Sequence, residues 1–385
     1  MSSDSFKKIY IIAGEASGDL LGSHLMKALA EKSEQPIRFF GVGGEKMAAE
    51  GLSSLFPYQE LSMLGFLEVL PHAMKIFARV SATVDDIIAK EPDIVITIDV
   101  PGFNLRVVER LRKQGCKAKF VHYVAPSVWA YKPQRALKCA KLFDHMLVLL
   151  PFEPPYFEKV GLPCSFIGHP IISETKTGDG DAFRKKYEIA PDTPLFTVLP
   201  GSRKGEIDRL MPIFARALSL IATHTPNLAI AVTVPKHVMP LIAPYFENCP
   251  FRAVIMSGEE DKRNAFAASQ LALVKSGTVA LEVAKAGVPM IVTYRVNPIS
   301  AYMLKRIILT KFANLINIIL DREAIPELLQ EHCNPEEIAA AAIELLNSPE
   351  RQEKQKSSCT EALNQLKSPD NNGSSSMAAQ IILNL

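Results

Sequence analysis

The amino-acid sequence predicts an α/β protein with two doubly wound domains, and three observations lead to this prediction. Apolar runs of strand length alternate with segments of helical periodicity along almost the whole chain. These apolar runs are continuous rather than alternating, which is typical of parallel strands that are buried on both faces. The chain has 385 residues, more than one ordinary hydrophobic core accommodates. We therefore expect two parallel sheets, each covered by helices on both sides.

Ten apolar runs are predicted to be strands, five in each half of the chain. Between most of them lie segments with a helical period, such as the face formed by Leu21, Leu25, Ala28 and Leu29. The predicted strands are residues 9–13, 39–42, 94–98, 120–124 and 146–150 in the first half, and 196–199, 229–234, 254–256, 271–274 and 290–294 in the second.

The polar stretch at residues 173–181 interrupts this pattern and is predicted to be a linker. It gives a first domain of residues 1–172 and a second of residues 173–350, followed by a helical tail at 351–385. We expect the tail to pack back on the first domain or on a partner subunit. Two domains joined in this way would face each other across a cleft at the carboxyl ends of their strands, where open α/β sheets bind ligands.

Composition and charge exclude several classes of protein. The net charge of +2, without a basic stripe, argues against nucleic acid as a partner. Six cysteines are scattered without a CxxC pair, which favours reduced thiols in the cytoplasm. The apolar run at residues 9–13 is too short for a signal peptide, and no run reaches the roughly 18 apolar residues of a membrane span. We therefore expect a cytoplasmic protein that is soluble or bound to a membrane surface.

A Ser-Gly-Thr turn in the second domain is the strongest candidate for a phosphate site. Ser276, Gly277 and Thr278 connect the predicted strand 271–274 to a helical pattern. A helix that begins at the end of a strand leaves free N–H groups and a positive dipole end, which bind phosphate. Glu282, one turn later, is placed to accept hydrogen bonds from the hydroxyl groups of a ribose. A capped helix without a ligand is an equally good explanation of this turn.

A second turn of the same kind follows the predicted strand 196–199. There, Ser202 lies beside Arg203, whose planar and permanently charged guanidinium suits a diphosphate. An arginine at this position would oppose the negative charge that builds on a departing nucleotide diphosphate. The alternative is a surface arginine paired with Glu206 or Asp208. Two phosphate-type turns in one domain make that alternative less favourable.

The first predicted strand also ends in a turn before a helix, with the sequence GEASGD at residues 14–19. The GxGxxG spacing of dinucleotide-binding proteins is absent, and Glu15 would repel a pyrophosphate. A glycine-rich turn with two carboxylates suits a ligand rich in hydroxyl groups better. A simple tight turn without a ligand is the alternative.

Taken in order, these motifs resemble the lipid-A-disaccharide synthase family, a family of glycosyltransferases with the two-domain GT-B fold. The resemblance runs from residue 9 to about residue 330 and implies two Rossmann-like domains facing a cleft, with no cofactor. It rests on AGEASGD (13–19), GVGG (41–44), DVPGFN (99–104), HYVAPSVWA (122–130), LPFE (150–153), FIGHP (166–170), LPGSR (199–203), SGTVALE (276–282), and Asn317 with PELLQ (326–330).

The resemblance implies a hexosyltransferase of lipid A biosynthesis in Gram-negative bacteria. Its substrates would be UDP-2,3-diacylglucosamine and 2,3-diacylglucosamine 1-phosphate, and its products UDP and the β-1,6-linked disaccharide 1-phosphate from which lipopolysaccharide is built. An inverting transfer of this kind needs a base that takes the proton from the acceptor's 6-hydroxyl, and stabilisation of the departing UDP. A carboxylate and a cation are the side chains suited to these two tasks.

Asp99 is the predicted base and Arg203 the predicted cation. Asp99 follows the predicted strand 94–98, at the end where a doubly wound domain exposes side chains to its ligand. The resemblance implies a second aspartate in many relatives where this chain has Gly102, so this departure removes a rival candidate. A capping or turn aspartate is the alternative role for Asp99.

The other site residues follow from their positions in the family's motifs. The aromatic residues of the motif at 122–127 are equally well explained as core. The nucleotide-sugar would contact Ser202, Arg203, Ser276, Gly277, Thr278, Glu282, Asn317 and Gln330. The acceptor would contact Gly14, Glu15, Ser17, Gly18, His122 and Ser127.

Asp179-Gly180-Asp181 has the DxD form of many metal-dependent glycosyltransferases. No apolar strand leads into it, and it falls inside the predicted linker. The eight histidines show no spacing typical of metal ligands either. We therefore expect no catalytic metal, with Arg203 and a helix N-terminus neutralising the phosphates.

Both implied substrates have acyl chains, so we expect an apolar face near residues 62–79. Its apolar residues are flanked by Lys75 and Arg79, which suits an anionic leaflet. A buried core helix is the alternative. The protein would be peripheral on the inner face of the cytoplasmic membrane, and a homodimer is compatible with that location. The residues expected to contact the membrane are Met63, Leu64, Phe66, Leu67, Leu70 and Phe77.

Two other functions fit the same motifs. A UDP-sugar epimerase of the same fold would need acid and base groups at C2 of the sugar and no lipid surface. A non-catalytic protein that binds a nucleotide-sugar or a lipid is the second alternative. Release of UDP only in the presence of the lipid acceptor separates the transferase from both.

Overall fold

The computed structural model describes residues 6–62, 69–173 and 176–385, and leaves undescribed the side chains of residues 62, 69–73, 304 and 305. The chain forms two compact units. The first comprises Met1–Ser173 and Leu366–Leu385, and the second comprises Glu174–Gln365. The chain therefore enters the second unit once and returns to the first for its last residues.

The first unit contains one parallel sheet of six strands. Tyr10 and Ile12 belong to one hydrophobic cluster and Ile9 and Ile11 to another, so the sheet is buried on both faces as predicted. The strands are β1 Lys7–Ala13, β2 Ile37–Val42, β3 Ile94–Ile98, β4 Lys119–Tyr123, β5 His145–Val148 and β6 Cys164–Phe166. Their spatial order is β2-β1-β3-β4-β5-β6.

Helices cover both faces of this sheet. The last helix of the chain, Ser374–Leu383, packs on the first helix and buries Ala378 and Ile382 there. The helices of the first unit are Ala16–Lys32, Glu45–Ala49, Gln59–Ser62, Val69–Lys90, Pro101–Lys113, Arg135–Leu142, Pro154–Glu158, Pro170–Ser173 and Ser374–Leu383.

The second unit repeats the same architecture with a second parallel sheet of six strands. Its strands are β7 Leu195–Leu199, β8 Ala229–Thr233, β9 Arg252–Met256, β10 Leu271–Lys275, β11 Met290–Tyr294 and β12 Glu327–Leu329. Their spatial order is β12-β11-β10-β7-β8-β9.

The second sheet is covered by α-helices and short 3₁₀ turns. Among the described residues, every helix of the chain is too short or too polar to span a membrane. The α-helices of this unit are Gly180–Lys186, Lys204–Ala222, Met239–Ile242, Glu259–Ala268, Val279–Lys285, Pro298–Ile307, Leu315–Leu320, Pro335–Leu346 and Pro349–Gln365. The 3₁₀ helices are Lys236–Val238, Ala243–Phe246 and Gln330–His332.

The chain order of each sheet reverses at one point, between β1 and β3 in the first unit and between β7 and β10 in the second. Ala13 pairs with Ile98 across the first of these points. Leu199 pairs with Val274 across the other. Within each unit, the turns that follow the two strands at this point therefore lie side by side, at the position where open α/β sheets bind ligands.

The predicted fold class is confirmed, because both sheets are parallel and covered on both faces. All ten predicted strands are present, with bounds that differ by at most two residues. The prediction missed β6 and β12, which have three residues each. Strands of this length are too short to produce a recognisable apolar run.

The predicted linker contains the beginning of a helix, and the predicted helical tail is divided between the two units. Within the stretch 173–181, Asp179 caps helix Gly180–Lys186 by accepting a hydrogen bond of 2.9 Å from the Ala182 N–H. The segment 351–385, predicted to be one tail, is divided between the units. Helix Pro349–Gln365 belongs to the second unit, and Ser374–Leu383 belongs to the first.

Candidate functional site

A cavity of about 530 Å³ opens at the carboxyl edge of the second sheet. The turn after β7 and the turn after β10 both line it, as the reversal of strand order between these strands requires. Its size is typical of a site for a small ligand. The predicted donor residues that line it are Ser202, Ser276, Gly277, Thr278 and Glu282.

The turn after β10 presents backbone donors to this cavity. The Ser276 N–H donates to the Thr293 carbonyl at 2.8 Å, and the Ser276 hydroxyl donates to the Ala313 carbonyl at 2.7 Å. In the described part of the chain, no protein group accepts a hydrogen bond from the N–H of Gly277 or Thr278. Helix Val279–Lys285 has only seven residues, so these two N–H groups matter more for an anion than its dipole does.

The turn after β7 is already occupied by a carboxylate. Glu206 Oε2 accepts hydrogen bonds from the N–H groups of Ser202 and Arg203 at 3.0 and 3.3 Å. Its Oε1 forms an ion pair of 3.0 Å with Lys275. Burial acts to raise the pKa of Glu206, but Lys275 and the two N–H groups outweigh burial and hold that pKa below its usual range. From the sequence, this turn was expected to bind phosphate. In the structure, its N–H groups at Ser202 and Arg203 instead hold the Glu206 carboxylate in place.

Arg203 is the N-cap residue of helix Lys204–Ala222, and its side chain is exposed. The alternative partners considered for it have other cations. Glu206 pairs with Lys275, and Asp208 pairs with Lys204 at 2.6 Å. Arg203 is not among the lining residues of the cavity, but it directly follows Ser202, which is. Its backbone is therefore next to the cavity, and its side chain is exposed to solvent.

Glu282, the predicted ribose ligand, lies in the cavity and pairs with Lys262 at 2.7 Å. Glu259 also contacts Lys262, at 2.8 Å. Burial alone would lower the pKa of the Lys262 ammonium, but Glu282 and Glu259 beside it raise that pKa above its ordinary value. Lys262 therefore remains charged and holds the Glu282 carboxyl group in place, while burial, opposed by Lys262, raises the pKa of Glu282.

The cavity has cationic residues that the sequence analysis did not single out. Lys262, Lys275 and Lys236 all line it. Lys275 is the last residue of β10, and Lys236 follows β8 by three residues. Both therefore lie near the carboxyl end of a strand, a signal that was available in the sequence. Lys262 lies on helix Glu259–Ala268, and only the folded chain brings it to Glu282.

Asn317 and Gln330, two further predicted donor contacts, form hydrogen bonds within the protein. Asn317 is fully buried, and its amide donates to Ile325 and Glu327 and accepts from Ala324 and Ile325, all within 2.9 Å. It therefore crosslinks the segment before β12 rather than facing a ligand. Gln330 accepts a hydrogen bond of 3.3 Å from the Val296 N–H, and neither residue lines the cavity.

In the first unit, Asp99 follows β3 in a strained turn. Asp99 and Val100 both have positive φ, 48° and 41°, a conformation that is a genuine outlier for a β-branched residue. Strain of this kind is concentrated at functional sites. Val100, not Asp99, is the N-cap residue of helix Pro101–Lys113, so the structure does not support a capping role. Burial raises the pKa of the Asp99 carboxyl, and a hydrogen bond from the Val100 N–H partly opposes this.

Asn104 holds this turn and was not identified as functional from the sequence. Its side-chain amide donates to the carbonyl oxygens of Asp99 and Ile98, at 2.7 and 3.3 Å. The Asp99 N–H donates to the Tyr123 carbonyl of β4 at 2.9 Å. Asn104 is fully buried, so its hydrogen bonds are protected from water. The Asp99 backbone is therefore fixed on both sides.

The turn after β1 lies beside Asp99, as the pairing of β1 with β3 requires. A Cβ atom on Gly14 would lie 3.0 Å from a methyl group of Val100, so glycine allows the two turns to approach closely. Gly18 is also buried, and a Cβ there would lie 3.3 Å from that of Ala13. Glu15 is half-buried and Ser17 is exposed, both at this edge of the sheet.

Asp19, the second carboxylate of this turn, points into the fold. It accepts hydrogen bonds from the N–H groups of Gly44, Lys46 and Met47, at 2.7 to 3.1 Å. These bonds cap helix Glu45–Ala49. Of the two carboxylates in this motif, Glu15 is the one that stands at the predicted acceptor site.

His122, a predicted acceptor contact, is instead part of the core. It is fully buried, stacks on Phe143 at 4.9 Å and lies 2.6 Å from the Thr97 hydroxyl through its Nδ1. Burial lowers the pKa of His122 to about 3, so the imidazole is neutral. Side chains along β4 alternate between the two faces of the sheet, and the His122 side chain lies on a face that is covered by the core. Ser127, in the loop after β4, is half-exposed at the carboxyl edge.

The DxD sequence and the predicted membrane segment complete the predicted sites. Asp179 serves as a helix cap, and among the described residues no group of three or more His, Cys, Asp or Glu side chains is arranged to hold a metal.

Met63, Leu64, Phe66 and Leu67 lie outside the described residues, as does the side chain of Leu70. On helix Val69–Lys90, Phe77 and Met74 are exposed, while Val80, Val84 and Ile87 are buried.

Comparison with known sequences finds relatives along nearly the whole chain. Residues 9–382 match the profile of a family described as Lipid-A-disaccharide synthetase. The chain is 46% identical over 378 residues to the lipid-A-disaccharide synthase of Rhodospirillum centenum. That alignment covers 98% of this chain and 94% of that protein.

Comparison with solved structures finds the same two-unit architecture. The chain is similar to UDP-GlcNAc 2-epimerase from Neisseria meningitidis bound to UDP-GlcNAc, with a TM-score of 0.66, 10% identity and 98% coverage of both chains. It is also similar to MurG of Acinetobacter baumannii, with a TM-score of 0.57, 14% identity and coverage of 98% of this chain and 100% of that chain. At this level of identity the likeness shows the fold alone, which is the predicted GT-B fold.

Proposed function

Since the chain belongs to the lipid-A-disaccharide synthase family, we propose how its residues perform the reaction of that family. The protein is a hexosyltransferase of lipid A biosynthesis. It joins UDP-2,3-diacylglucosamine to the 6-hydroxyl of 2,3-diacylglucosamine 1-phosphate and releases UDP. The observation that carries our assignment of residues is that each unit has a ligand edge of its own, the cavity of about 530 Å³ in the second unit and the strained Asp99 turn in the first.

The second unit binds the UDP part of the donor in its cavity. The N–H groups of Gly277 and Thr278 donate to phosphate oxygens, and Glu282, held by Lys262, accepts hydrogen bonds from the ribose hydroxyls. Lys236 adds positive charge to the same cavity, whereas Lys275 is paired with Glu206. A pocket with cations and backbone donors along one side suits a diphosphate better than a neutral sugar.

The first unit supplies the base. Asp99 accepts the proton of the acceptor's 6-hydroxyl while that oxygen forms a bond to C1 of the donor sugar. The bond between C1 and the β-phosphate oxygen breaks on the opposite face, so the sugar is inverted and UDP leaves with the bonding electron pair. Glu15, Ser17 and Ser127 stand at the same edge of the sheet and are the proposed contacts of the acceptor sugar.

Arg203 stabilises the departing UDP. The leaving group gains negative charge on its β-phosphate as the bond to C1 breaks, and a permanently charged guanidinium favours that state over the ground state. Lys275 is largely neutralised by Glu206, whereas Arg203 lies at the rim with an exposed side chain. We therefore propose that Arg203 stabilises the negative charge that appears on the β-phosphate only during transfer.

The pH dependence of the reaction tests this assignment. Burial raises the pKa of Asp99 above its ordinary value of 3.8, and only the ionised carboxylate can accept a proton. Activity should therefore be full above the raised pKa and fall as pH decreases through it. We expect the acid limb of kcat/KM to lie at a higher pH than an exposed aspartate would give, in a profile measured with initial rates.

A second buried carboxyl group in the first unit provides the control for this experiment. Burial raises the pKa of Glu153 to about 7, and Glu153 accepts hydrogen bonds of 3.0 Å from the Trp129 indole and the Leu150 N–H. The acid limb should persist in Glu153→Gln and shift in Asp99→Glu. If the limb disappears in Glu153→Gln and is unchanged in Asp99→Glu, Asp99 is not the group that titrates.

The acyl chains of both substrates indicate where the enzyme works. We propose that it is peripheral on the inner face of the cytoplasmic membrane, with the segment at residues 62–79 contacting the lipid. The exposed side chains of Met74 and Phe77, beside Lys75 and Arg79, support this proposal. A homodimer stays compatible with this arrangement.

A further inference from the structure

A second apolar surface lies in the other unit, on helix Pro298–Ile307 and the two residues that follow it. The described part of the chain exposes fourteen large apolar side chains, and six of them fall within residues 299–309. Ile299 is the most exposed of these, at 76%. The six residues are Ile299, Tyr302, Met303, Ile307, Ile308 and Leu309. No other segment of the described chain concentrates exposed apolar area in this way.

The orientation of this helix is the reverse of that expected for a surface helix. Ile299, Tyr302, Met303 and Ile307 recur at intervals of three and four residues, the stripe that normally faces a core. Here the whole stripe faces solvent, whereas Ser300 and Ala301 on another face are half-buried. Among the side chains that the structure describes in this helix, the small ones are therefore the half-buried ones and the large apolar ones are exposed.

Positive charge accompanies the apolar stripe. The Arg306 guanidinium lies 4.2 Å from the centre of the Tyr302 ring and donates a hydrogen bond to the Tyr302 hydroxyl. Lys311 is also exposed, just beyond Leu309. From residue 283 to residue 320 the sequence contains five lysines or arginines and no acidic residue. A tyrosine and an arginine at the border of an apolar stripe are the side chains typical of a membrane interface.

We propose that the surface formed by residues 298–311 adsorbs to an anionic lipid bilayer. The charge pattern supports this occupant over a second copy of the chain, because residues 298–311 contain three cations and no acid, and such a stretch would repel its own copy. An anionic leaflet attracts such a stretch and receives its apolar side chains. The proposal goes beyond the function described above, because it gives the nucleotide-binding unit its own contact with lipid, separate from residues 62–79.

The test uses the full-length protein and sedimentation with vesicles. A triple variant, Ile299→Ser, Met303→Ser and Leu309→Ser, is compared with the native chain on vesicles of phosphatidylethanolamine and phosphatidylglycerol in a ratio of about 7 to 3. We expect the partition coefficient to fall at least about tenfold, since three large side chains no longer enter the lipid. The matched control replaces the exposed Leu20, Ile88 and Leu137 of the first unit with serine and should stay within about twofold.

Two further sets of variants and one activity measurement complete this experiment. Arg306→Gln with Lys311→Gln should weaken binding to these vesicles but not the weaker binding to pure phosphatidylcholine, because only the anionic surface attracts the cations. Phe77→Ser with Met74→Ser should weaken binding independently, so that combining it with the triple variant multiplies the two effects. Turnover of substrates presented in detergent micelles should be unchanged in the triple variant, which separates this proposal from the assignment of the active site.

Two results would overturn the proposal. The first is a triple variant that is folded, as judged by its thermal midpoint, and binds anionic vesicles as tightly as the native chain. The second is a triple variant that binds vesicles normally but has changed from a larger assembly to a smaller one in light scattering. That outcome would make residues 298–311 an interface between copies of the chain.

Discussion

Replacing Asp99 with asparagine is expected to lower kcat by about 10² to 10⁴, the usual contribution of a positioned general base. The amide has the shape of the carboxylate but cannot take the proton of the 6-hydroxyl. The backbone bonds from Asn104 to Asp99 and from Asp99 to Tyr123 do not involve the changed side chain, so the turn should keep its conformation. The measurement is the initial rate of disaccharide formation at saturating concentrations of both substrates.

UDP binding is the internal control for this variant. The proposed UDP cavity lies wholly in the second unit, so the dissociation constant of UDP in Asp99→Asn should be that of the native protein. Gly102 offers a further control, because a Cβ atom there would meet only Arg106, at 3.9 Å. An aspartate introduced at Gly102 therefore fits, and the double variant shows whether a carboxylate at that position replaces the base. If Asp99→Asn turns over at the native rate at neutral pH, Asp99 is not the base.

Replacing Arg203 with alanine is expected to lower kcat by about 10² to 10³, the effect of removing one contact to a developing charge. The Arg203 side chain is exposed, so the change should leave the fold intact. Because the charge on the β-phosphate grows during transfer, KM should change much less than kcat. Steady-state kinetics with varied donor concentration measure both quantities.

Arg209 is the matched control for this variant, since it is an exposed arginine on the same helix, Lys204–Ala222. Arg209→Ala should keep the native kcat, because Arg209 lies further along the helix, whereas Arg203 directly follows the cavity-lining residue Ser202. Arg203→Lys keeps the charge but loses the planar fork and should recover only part of the rate. An effect of Arg203→Ala on KM alone would mean that the arginine binds ground state and transition state equally, contrary to our assignment.

The fold could be predicted from the sequence because buried parallel strands have an unambiguous signature. The run at 94–98, for example, contains only Ile, Val and Thr, and the structure has β3 at those residues. The strands β6 and β12 were missed because three residues do not establish a pattern. Helix Gly180–Lys186 was missed as well, because its polar sequence resembles that of a linker.

The site was predictable where it depends on strand ends and not where it depends on packing. Ser276, Gly277 and Thr278 follow a strand whose neighbour also ends in a turn, and the structure brings both turns into one cavity. Asn317 and His122 also lie in family motifs, yet both are fully buried. Their burial depends on which face of a helix or strand is covered, and a motif does not contain that information.

Interactions between distant side chains were the least predictable part of the site. Lys262 and Glu282 are 20 positions apart in sequence, and their contact of 2.7 Å exists only because two helices meet at the cavity. The pair of Glu206 and Lys275 likewise joins the turns after β7 and β10. These pairs explain how carboxylates can line a cavity proposed for a diphosphate, because each has a lysine beside it.

The most direct test of the central claim is the release of UDP from UDP-2,3-diacylglucosamine with and without 2,3-diacylglucosamine 1-phosphate. The products are separated by thin-layer chromatography and identified by mass. We expect UDP only when both lipids are present, in a one-to-one ratio with a disaccharide 1-phosphate. UDP-sugar converted to a C2 epimer without the acceptor, or bound without any turnover, would contradict the transferase and support one of the two alternative functions.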